Sequence, residues 1–201
     1  MANRTDLFEM IDFSNRMTAN EYLSSMMENR DAAAEMYAAA ELTDDELEKM
    51  REAVEQHGGR IDVAAMTADW CGDAAVNLPL IFKAADEVDG LSIRVFRPED
   101  LPDVESRLKH EGYDHLPVIV FFDSKRNEIG RFMERPAAAN EKVADYWRDK
   151  PDTDGLMASG DEQKIGEAIG MFKQMVSEMQ GWYQDGLWRE TAAEWIATIR
   201  R

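Results

Sequence analysis

Short apolar runs and helical patterns alternate through the middle of the chain. The runs that are typical of β-strands are IDVAAMT (61–67), LSIRVFR (91–97), PVIVFFD (117–123) and EIGRFM (128–133). Apolar residues at helical spacing separate the first three runs, and a polar SKRN turn separates the last two. The order β-α-β-α-β-β predicts a mixed sheet, with parallel neighbours joined through the helices and an antiparallel hairpin at the end.

Two helices are predicted before the first strand. Their starts carry the same capping chemistry, Thr18 with Glu21 and Thr43 with Glu46. The first helix is predicted to place these residues on one face: Leu23, Met26, Met27, Ala33, Ala34 and Tyr37. The second carries Leu47, Met50 and Val54. Such methionines could line a binding groove, although packing against the following domain is their more common role.

Helical patterns return after Pro136. The spacing predicts a helix over 137–148, an exposed and mobile polar loop over 148–161, and a long helix with a final helix behind it. The last two contribute an aromatic cluster that either anchors a partner or holds the terminal helices on their own domain: Trp182, Tyr183, Trp188 and Trp195. We therefore expect an α/β core over residues 59–148, a helical N-terminal extension over 1–58, and a helical C-terminal extension over 149–201 packed on the core.

Length and composition favour a globular protein. The 201 residues are 44% hydrophobic, enough for a sizeable core without disulfides. The N-terminal stretch MANRTDLFEMIDFSNR is too polar for a secretory signal, and no apolar run approaches the roughly 20 residues of a membrane helix. A single cysteine excludes an intrachain disulfide and agrees with a reducing compartment. We expect a cytoplasmic protein.

The charge balance is strongly acidic. Acidic residues number 41 and basic residues 23, which gives a net charge of −18. Nucleic acid and anionic membranes are therefore not expected as partners. Such a balance suits a high-salt cytoplasm, but acidic surfaces are common for solubility alone. The sequence leaves the oligomeric state open.

The stretch TADWCGDAAVNLP contains the single cysteine, Cys71, directly after the first strand and at the start of a helix. This position lies at the carboxyl edge of the sheet, where open α/β folds bind ligands. Free N–H groups and the helix dipole lower the pKa of a thiol there, whereas the nearby carboxylate of Asp73 opposes that effect. Gly72 lets the backbone turn closely beneath the sulfur, and Trp70 could shield it.

Several ordered motifs resemble the thioredoxin-like superfamily. They are DWCGDA after an apolar strand, Pro79 eight residues after the cysteine, and HLPVIVFFD with a proline opening the next strand. With GRFMERP and the helical N-terminal segment, residues 18–148 resemble bacterial thioredoxin family proteins that carry a WCGD motif. The resemblance implies a thioredoxin-like fold, with a mixed sheet of about four strands flanked by helices.

The same resemblance implies the roles of the site residues. Cys71 would be the nucleophile, Pro117 a cis proline facing it, and the backbone of Leu116 the partner of an extended peptide. Trp70, Gly72, Asp73, Leu116 and Pro117 would form the substrate-binding set. His115 lies beside this loop and is expected to be an ordinary exposed histidine. Arg131 and Arg135 match the end of the pattern, with ion-pair or surface roles as plausible as substrate binding.

Two positions depart from working thioredoxins. Ala74 replaces the resolving cysteine, and Ala65 replaces a buried carboxylate. The attacking half of the site remains, which predicts a monothiol redox protein whose mixed disulfide an external thiol resolves. Its partners would be protein or small-thiol disulfides, with a low-molecular-weight thiol as possible co-substrate and no metal or other cofactor. This hypothesis requires an accessible Cys71 with a depressed pKa.

Two other functions are compatible with the same residues. The first is a redox-inactive thioredoxin-fold module that binds a protein through the groove around Trp70, Leu116 and Pro117, or through the helical extensions. In that case Cys71 is a small buried hydrophobic residue. The second, which fewer features of the sequence support, is a peroxide or thiol sensor in which Cys71 is oxidised or pairs across a dimer.

Overall fold

One mixed sheet forms the centre of the molecule. A computed structural model describes residues 6–201, so the first five residues of the N-terminal stretch lie outside the described part. The strands are β1 (Ile61–Met66), β2 (Leu91–Phe96), β3 (Val118–Asp123) and β4 (Glu128–Met133), in the order β2-β1-β3-β4. β1 and β3 lie in the middle, and their residues are almost all buried because helices cover both faces. The predicted α/β fold, with a mixed sheet of about four strands flanked by helices, is confirmed.

The direction of β3 differs from the prediction. β1 and β2 are parallel, as a helical crossover implies, but β3 runs antiparallel to β1 and pairs Met66 with Val118. The chain leaving the second crossover helix thus enters the sheet beside the end of β1, on the side away from β2. An apolar run carries no information about strand direction, so the sequence pattern could not distinguish the two pairings.

Ten α-helices surround the sheet within residues 6–201. They are α1 (Leu7–Ile11), α2 (Ala19–Ser25), α3 (Arg30–Ala39), α4 (Asp44–Gln56), α5 (Gly72–Glu87), α6 (Pro102–His110), α7 (Ala139–Trp147), α8 (Thr153–Met157), α9 (Glu162–Trp182) and α10 (Trp188–Ile199). Both predicted capping boxes are present, at Thr18 with Glu21 and at Thr43 with Glu46.

Two predicted segments are organised differently. The first N-terminal helix is broken into α2 and α3 at residues 26–29, where Asn29 adopts a left-handed conformation with φ 52°. Met27 therefore does not join the apolar face and is 89% exposed. The polar loop over 148–161 contains a short helix, α8. The break at residues 26–29 is held by hydrogen bonds to Asp69, which is distant in the chain.

The two faces of the sheet carry separate cores. The larger core packs α3, α4, α5, α9 and α10 on one face, and it includes Val63, Ala65 and Ile119. The smaller core packs α1 and α6 on the other face, where Ala64, Val120 and other residues of opposite strand parity point. The site described below lies at the edge of the larger core.

The C-terminal aromatic residues hold the last helices on the larger core. Trp195 is fully buried and meets Phe132 edge to face, with ring centroids 5.7 Å apart. The indole N–H of Trp188 donates to the carbonyl oxygen of Val76 in α5, at 3.0 Å. The division of the chain at residues 58 and 148 stays a prediction.

Candidate functional site

Cys71 lies at the N-cap of α5, in the short connection that follows the end of β1 at Met66. Its Sγ accepts a hydrogen bond from the backbone N–H of Ala74 at 3.4 Å, one of the groups that a helix start leaves unpaired. Its S–H donates to the carbonyl oxygen of Leu116 at 3.3 Å. The peptide bond between Leu116 and Pro117 is cis. The thiol thus joins the start of α5 to the loop before β3.

Burial decides the protonation state of this thiol. Cys71 is only 6% exposed, and the loss of solvent raises its pKa to about 12. The carboxylate of Asp73 adds to this rise, while the N–H groups of Ala74 and Asp73 oppose it without reversing it. The pKa effect expected from the helix start is therefore outweighed, and the accessible, low-pKa thiol required by the monothiol hypothesis is not present in this conformation.

Helix α9 packs against the start of α5, next to the cysteine. A Cβ atom added to Gly72 would lie 2.9 Å from Cγ2 of Val176, closer than real side chains approach. Met175 and Met179, one helical position before and one turn after, line the same cavity as Cys71. Gly72 therefore serves the close packing of α9 on α5, a role that the sequence did not suggest.

Asp73 forms a buried ion pair with Arg135. The guanidinium makes two contacts with the carboxylate, Nε to Oδ1 at 2.8 Å and Nη2 to Oδ2 at 2.5 Å. Both side chains are at least 85% buried, and burial raises the pKa of Asp73 even though Arg135 lowers it. The pair fastens the first turn of α5 to the segment after β4. Arg131 instead pairs with Glu111 and Glu128, outside the cavity.

Glu134 is a site residue that sequence reasoning missed. It has a left-handed backbone with φ 63°, its N–H donates to the carbonyl of Pro117 at 2.8 Å, and its carbonyl accepts from the amide of Asn77 at 3.0 Å. Its carboxylate reaches Nη2 of Arg135 at 2.6 Å and lines the cavity. Its pKa is raised, first by burial. Its place in GRFMERP was the available signal, but nothing there pointed to the acid.

The predicted site residues do not all have the same relation to the cavity. Trp70, Gly72, Asp73 and Leu116 line it with Cys71, whereas Pro117 is not among its lining residues. His115 also lines it, but its side chain is 60% exposed and its Nδ1 lies 2.8 Å from the carboxylate of its neighbour Asp114.

Apolar side chains surround this cavity, whose volume is about 900 Å³. Five large hydrophobic side chains of the described residues are exposed, by 41–89%, and all five line it: Met27, Trp70, Met157, Ile169 and Phe172. Met27 and Trp70 come from the α2–α3 loop and the β1–α5 connection, and the other three come from α8 and α9. We call this cavity and its rim the Trp70 groove. Apolar patches of this kind mark interaction sites.

The α2–α3 loop is held in place by the residue before Trp70. The carboxylate of Asp69 accepts the N–H of Met27 at 3.0 Å, and its carbonyl accepts the side-chain amide of Asn29 at 3.0 Å. Arg97 pairs with the same carboxylate at 3.0 Å. One wall of the Trp70 groove is therefore fixed by hydrogen bonds before any ligand arrives.

A family model described as Thioredoxin matches residues 16–148, about two thirds of the chain. This span includes Cys71, the cis peptide bond and Arg135. The chain belongs to the thioredoxin family. No curated protein matches this thioredoxin-family chain.

Solved structures share the fold of this thioredoxin-family chain at low identity. An HIV epitope scaffold aligns with 97% of this chain and 98% of its own, with a TM-score of 0.59 and 15% identity. A protein of unknown function from Pseudomonas aeruginosa aligns with 87% of this chain and 99% of its own, with a TM-score of 0.55 and 18% identity. Both alignments cover more of the chain than the family match does.

Two further properties of the described residues of this family member bear on ligands. No three His, Cys, Asp or Glu side chains within 6–201 cluster in a way that could hold a metal ion. None of the helices in that range combines the length and apolar character that a membrane crossing requires.

Proposed function

We propose that this protein is a thioredoxin-fold binding protein that holds an apolar polypeptide segment in the Trp70 groove. The observation that carries the proposal is the convergence of the five exposed large hydrophobic side chains on the cavity beside Cys71. Exposed aromatic side chains in a concave site are the anchors from which protein interfaces gain most of their affinity.

The state of Cys71 supports binding rather than redox chemistry. Its pKa is raised to about 12, so almost all of the thiol is protonated at neutral pH. Ala74 stands where a resolving thiol would be needed. In this proposal the cysteine acts as a small apolar group at the base of the groove.

The loop before β3 supplies a place for the backbone of the bound segment. The N–H of Leu116 makes no backbone hydrogen bond within the described residues. In the thioredoxin-like superfamily this position pairs with extended peptides, and such pairing gives affinity without sequence preference. The apolar walls would then select the side chains on either side.

A peptide selection tests the binding proposal. Random peptides displayed on phage are selected on the wild-type protein and on the W70S/F172S variant, whose changes lie at exposed positions. We expect enrichment of apolar peptides on the wild type and at least a tenfold loss of their affinity in the variant. The C71S variant should bind as the wild type does. Equal enrichment on W70S/F172S would refute the proposal, provided that both proteins have the same circular dichroism spectrum.

Thiol–disulfide exchange is a second candidate, supported by the position of Cys71 at a helix start and beside the Leu116 carbonyl. The Cys71 thiolate would attack one sulfur of a disulfide, form a mixed disulfide and release the other sulfur as a thiolate. An external thiolate would then attack the outer sulfur of the mixed disulfide, form a new disulfide with the bound half and release Cys71 as a thiolate. This path requires a conformation in which the sulfur, now only 6% exposed, is accessible to the disulfide.

Intact mass separates the two candidates. The protein is incubated with disulfides of small thiols and weighed, and the free thiol is then added. Rapid adduct formation at Cys71, reversed by the thiol, would establish exchange, with C71S as the control that forms no adduct. We expect no adduct within the time in which an unfolded control reacts fully. We further propose, from the WCGD motif, membership of the bacterial group that carries it. We also propose a cytoplasmic location, because a single cysteine agrees with a reducing compartment.

A further inference from the structure

We propose that the Trp70 groove selects polypeptide segments in which apolar residues are flanked by lysine or arginine. This inference rests on the proposed binding function and adds the charge of the partner. It follows from the ionisable groups that line the groove, and it excludes anionic ligands, including small thiols that carry carboxylates.

Carboxylates outnumber cations around the groove. Six acidic residues line it, against three basic residues: Glu28, Asp73, Glu99, Glu105, Asp114 and Glu134, against Lys109, Arg135 and Lys173. The excess has the same sign as the net charge of −18 for the whole chain. The field of the molecule and the local field of the groove therefore both favour a cationic partner.

The internal ion pairs do not cancel this excess. Arg135 is shared between the carboxylates of Asp73 and Glu134, so the trio retains one negative charge. Lys109 pairs with Glu105 at 2.8 Å, so this pair carries no net charge. The basic side chains inside the groove are thus already engaged, apart from Lys173.

Two carboxylates at the rim are available to a partner. Glu28 and Glu99 are exposed, and neither forms an ion pair with another described residue. Glu28 directly follows Met27, and Glu99 lies on the segment after β2 that also carries Arg97. Each therefore lies at the border of the apolar surface, where a flanking cation of a bound segment would meet it while the apolar residues contact Trp70.

A matched peptide pair measures this charge preference. One peptide enriched on the wild type is synthesised as selected, and a twin carries glutamate at each flanking lysine or arginine. We expect the enriched set to contain an excess of basic residues beside its apolar residues. The twin should bind at least tenfold more weakly at low salt, and the difference should shrink as salt rises.

Charge-neutral variants locate the effect on the protein. In E28Q/E99Q the preference for the basic peptide over its twin should fall at least threefold. In the control E48Q/E55Q it should stay as in the wild type, because these two exposed carboxylates lie on α4 outside the groove. Both variants remove the same amount of charge, so a global effect would change them equally.

The possible outcomes separate the two proposals. Enriched peptides without basic flanks, or a twin that binds equally well, would overturn the charge inference and leave the binding function intact. An equal change in E28Q/E99Q and E48Q/E55Q would also overturn it. If no peptide is enriched on the wild type over W70S/F172S, the binding function itself fails.

Discussion

Asp73 and Arg135 form a buried, bidentate ion pair at the site. The pair is bidentate and more than 80% buried on each side, and it joins α5 to the segment after β4. Removing one member of a buried pair is costly because the other charge stays in a poorly solvated place. The sequence placed both residues in motifs, but it could not indicate that they meet, since they are 62 positions apart in the chain.

Replacing Arg135 by methionine should destabilise the protein by about 3 kcal/mol near pH 7, because Asp73 then remains buried without a counter-ion. Burial already raises the pKa of Asp73, and loss of Arg135 raises it further. The folded state then takes up a proton more readily than the unfolded state, so the destabilisation should shrink as pH falls below the folded pKa. Urea unfolding at several pH values measures this.

The D73N/R135M double variant is the control for that prediction. With the Asp73 carboxylate removed, only that of Glu134 loses its partner, so the double variant should recover part of the stability lost in R135M and show a smaller pH dependence of the difference. A destabilisation by R135M that is the same at pH 5 and pH 8 would contradict the argument.

The Cys71 thiol should react slowly in the folded protein. Its pKa is raised to about 12, whereas an unfolded cysteine titrates near 8.5. At about pH 8 we expect alkylation by iodoacetamide to be at least a hundredfold slower in the native protein than in guanidinium chloride. Because burial disfavours the thiolate, the native rate should still be rising with pH at pH 10. A plateau below pH 9 would show that the sulfur is solvated.

At the scale of elements, α9 packs against the start of α5, directly beside the buried thiol. Gly72 lies in the first turn of α5, and Val176 occupies the space where a side chain at that position would lie. The helical spacing of apolar residues predicted both helices, but it could not predict that α9 packs against the start of α5. That packing depends on the fit of side chains distant in the chain.

The G72A substitution should destabilise the protein by about 1–2 kcal/mol and speed alkylation of Cys71, because the added methyl group displaces α9. In a V176A background the methyl group has room. There G72A should be neutral or slightly stabilising, since alanine favours the helix over glycine. Thermal unfolding and alkylation rates of the four proteins complete the cycle, and equal effects of G72A in both backgrounds would contradict it.

A local sequence pattern carries no information about contacts between residues that are distant in the chain, and this explains which elements the sequence could predict. The four strands and both capping boxes are set by residues within a few positions of each other, and they appear as predicted. Three other features depend on contacts between residues that are distant in the chain. They are the direction of β3, the break at residues 26–29 and the packing of α9 beside Cys71. The Trp70 groove belongs to this second group because its walls come from α2–α3, β1–α5 and α8–α9.

At the scale of the molecule, the net charge of −18 opposes compactness. Self-repulsion is screened by salt, so the thermal midpoint should rise by about 3–6 °C between about 0.05 and 0.5 M NaCl. KCl at equal ionic strength should act alike, and sulfate should exceed both because it also strengthens apolar burial. A midpoint that stays flat in NaCl would show that the charges are already balanced locally.

The late position of α9 in the chain also has a consequence during synthesis of the protein. The strands and α5 leave the ribosome well before α9, since Val176 lies 105 positions after the cysteine. Domains begin to fold from the N-terminal side while the rest is still being made. During that interval the thiol lies at the start of α5 without α9 packed beside it. A thiol that lies at a helix start and stays in contact with water has a lowered pKa. The nascent chain is therefore more vulnerable to oxidants than the finished protein, and translation of the last helices ends that vulnerability.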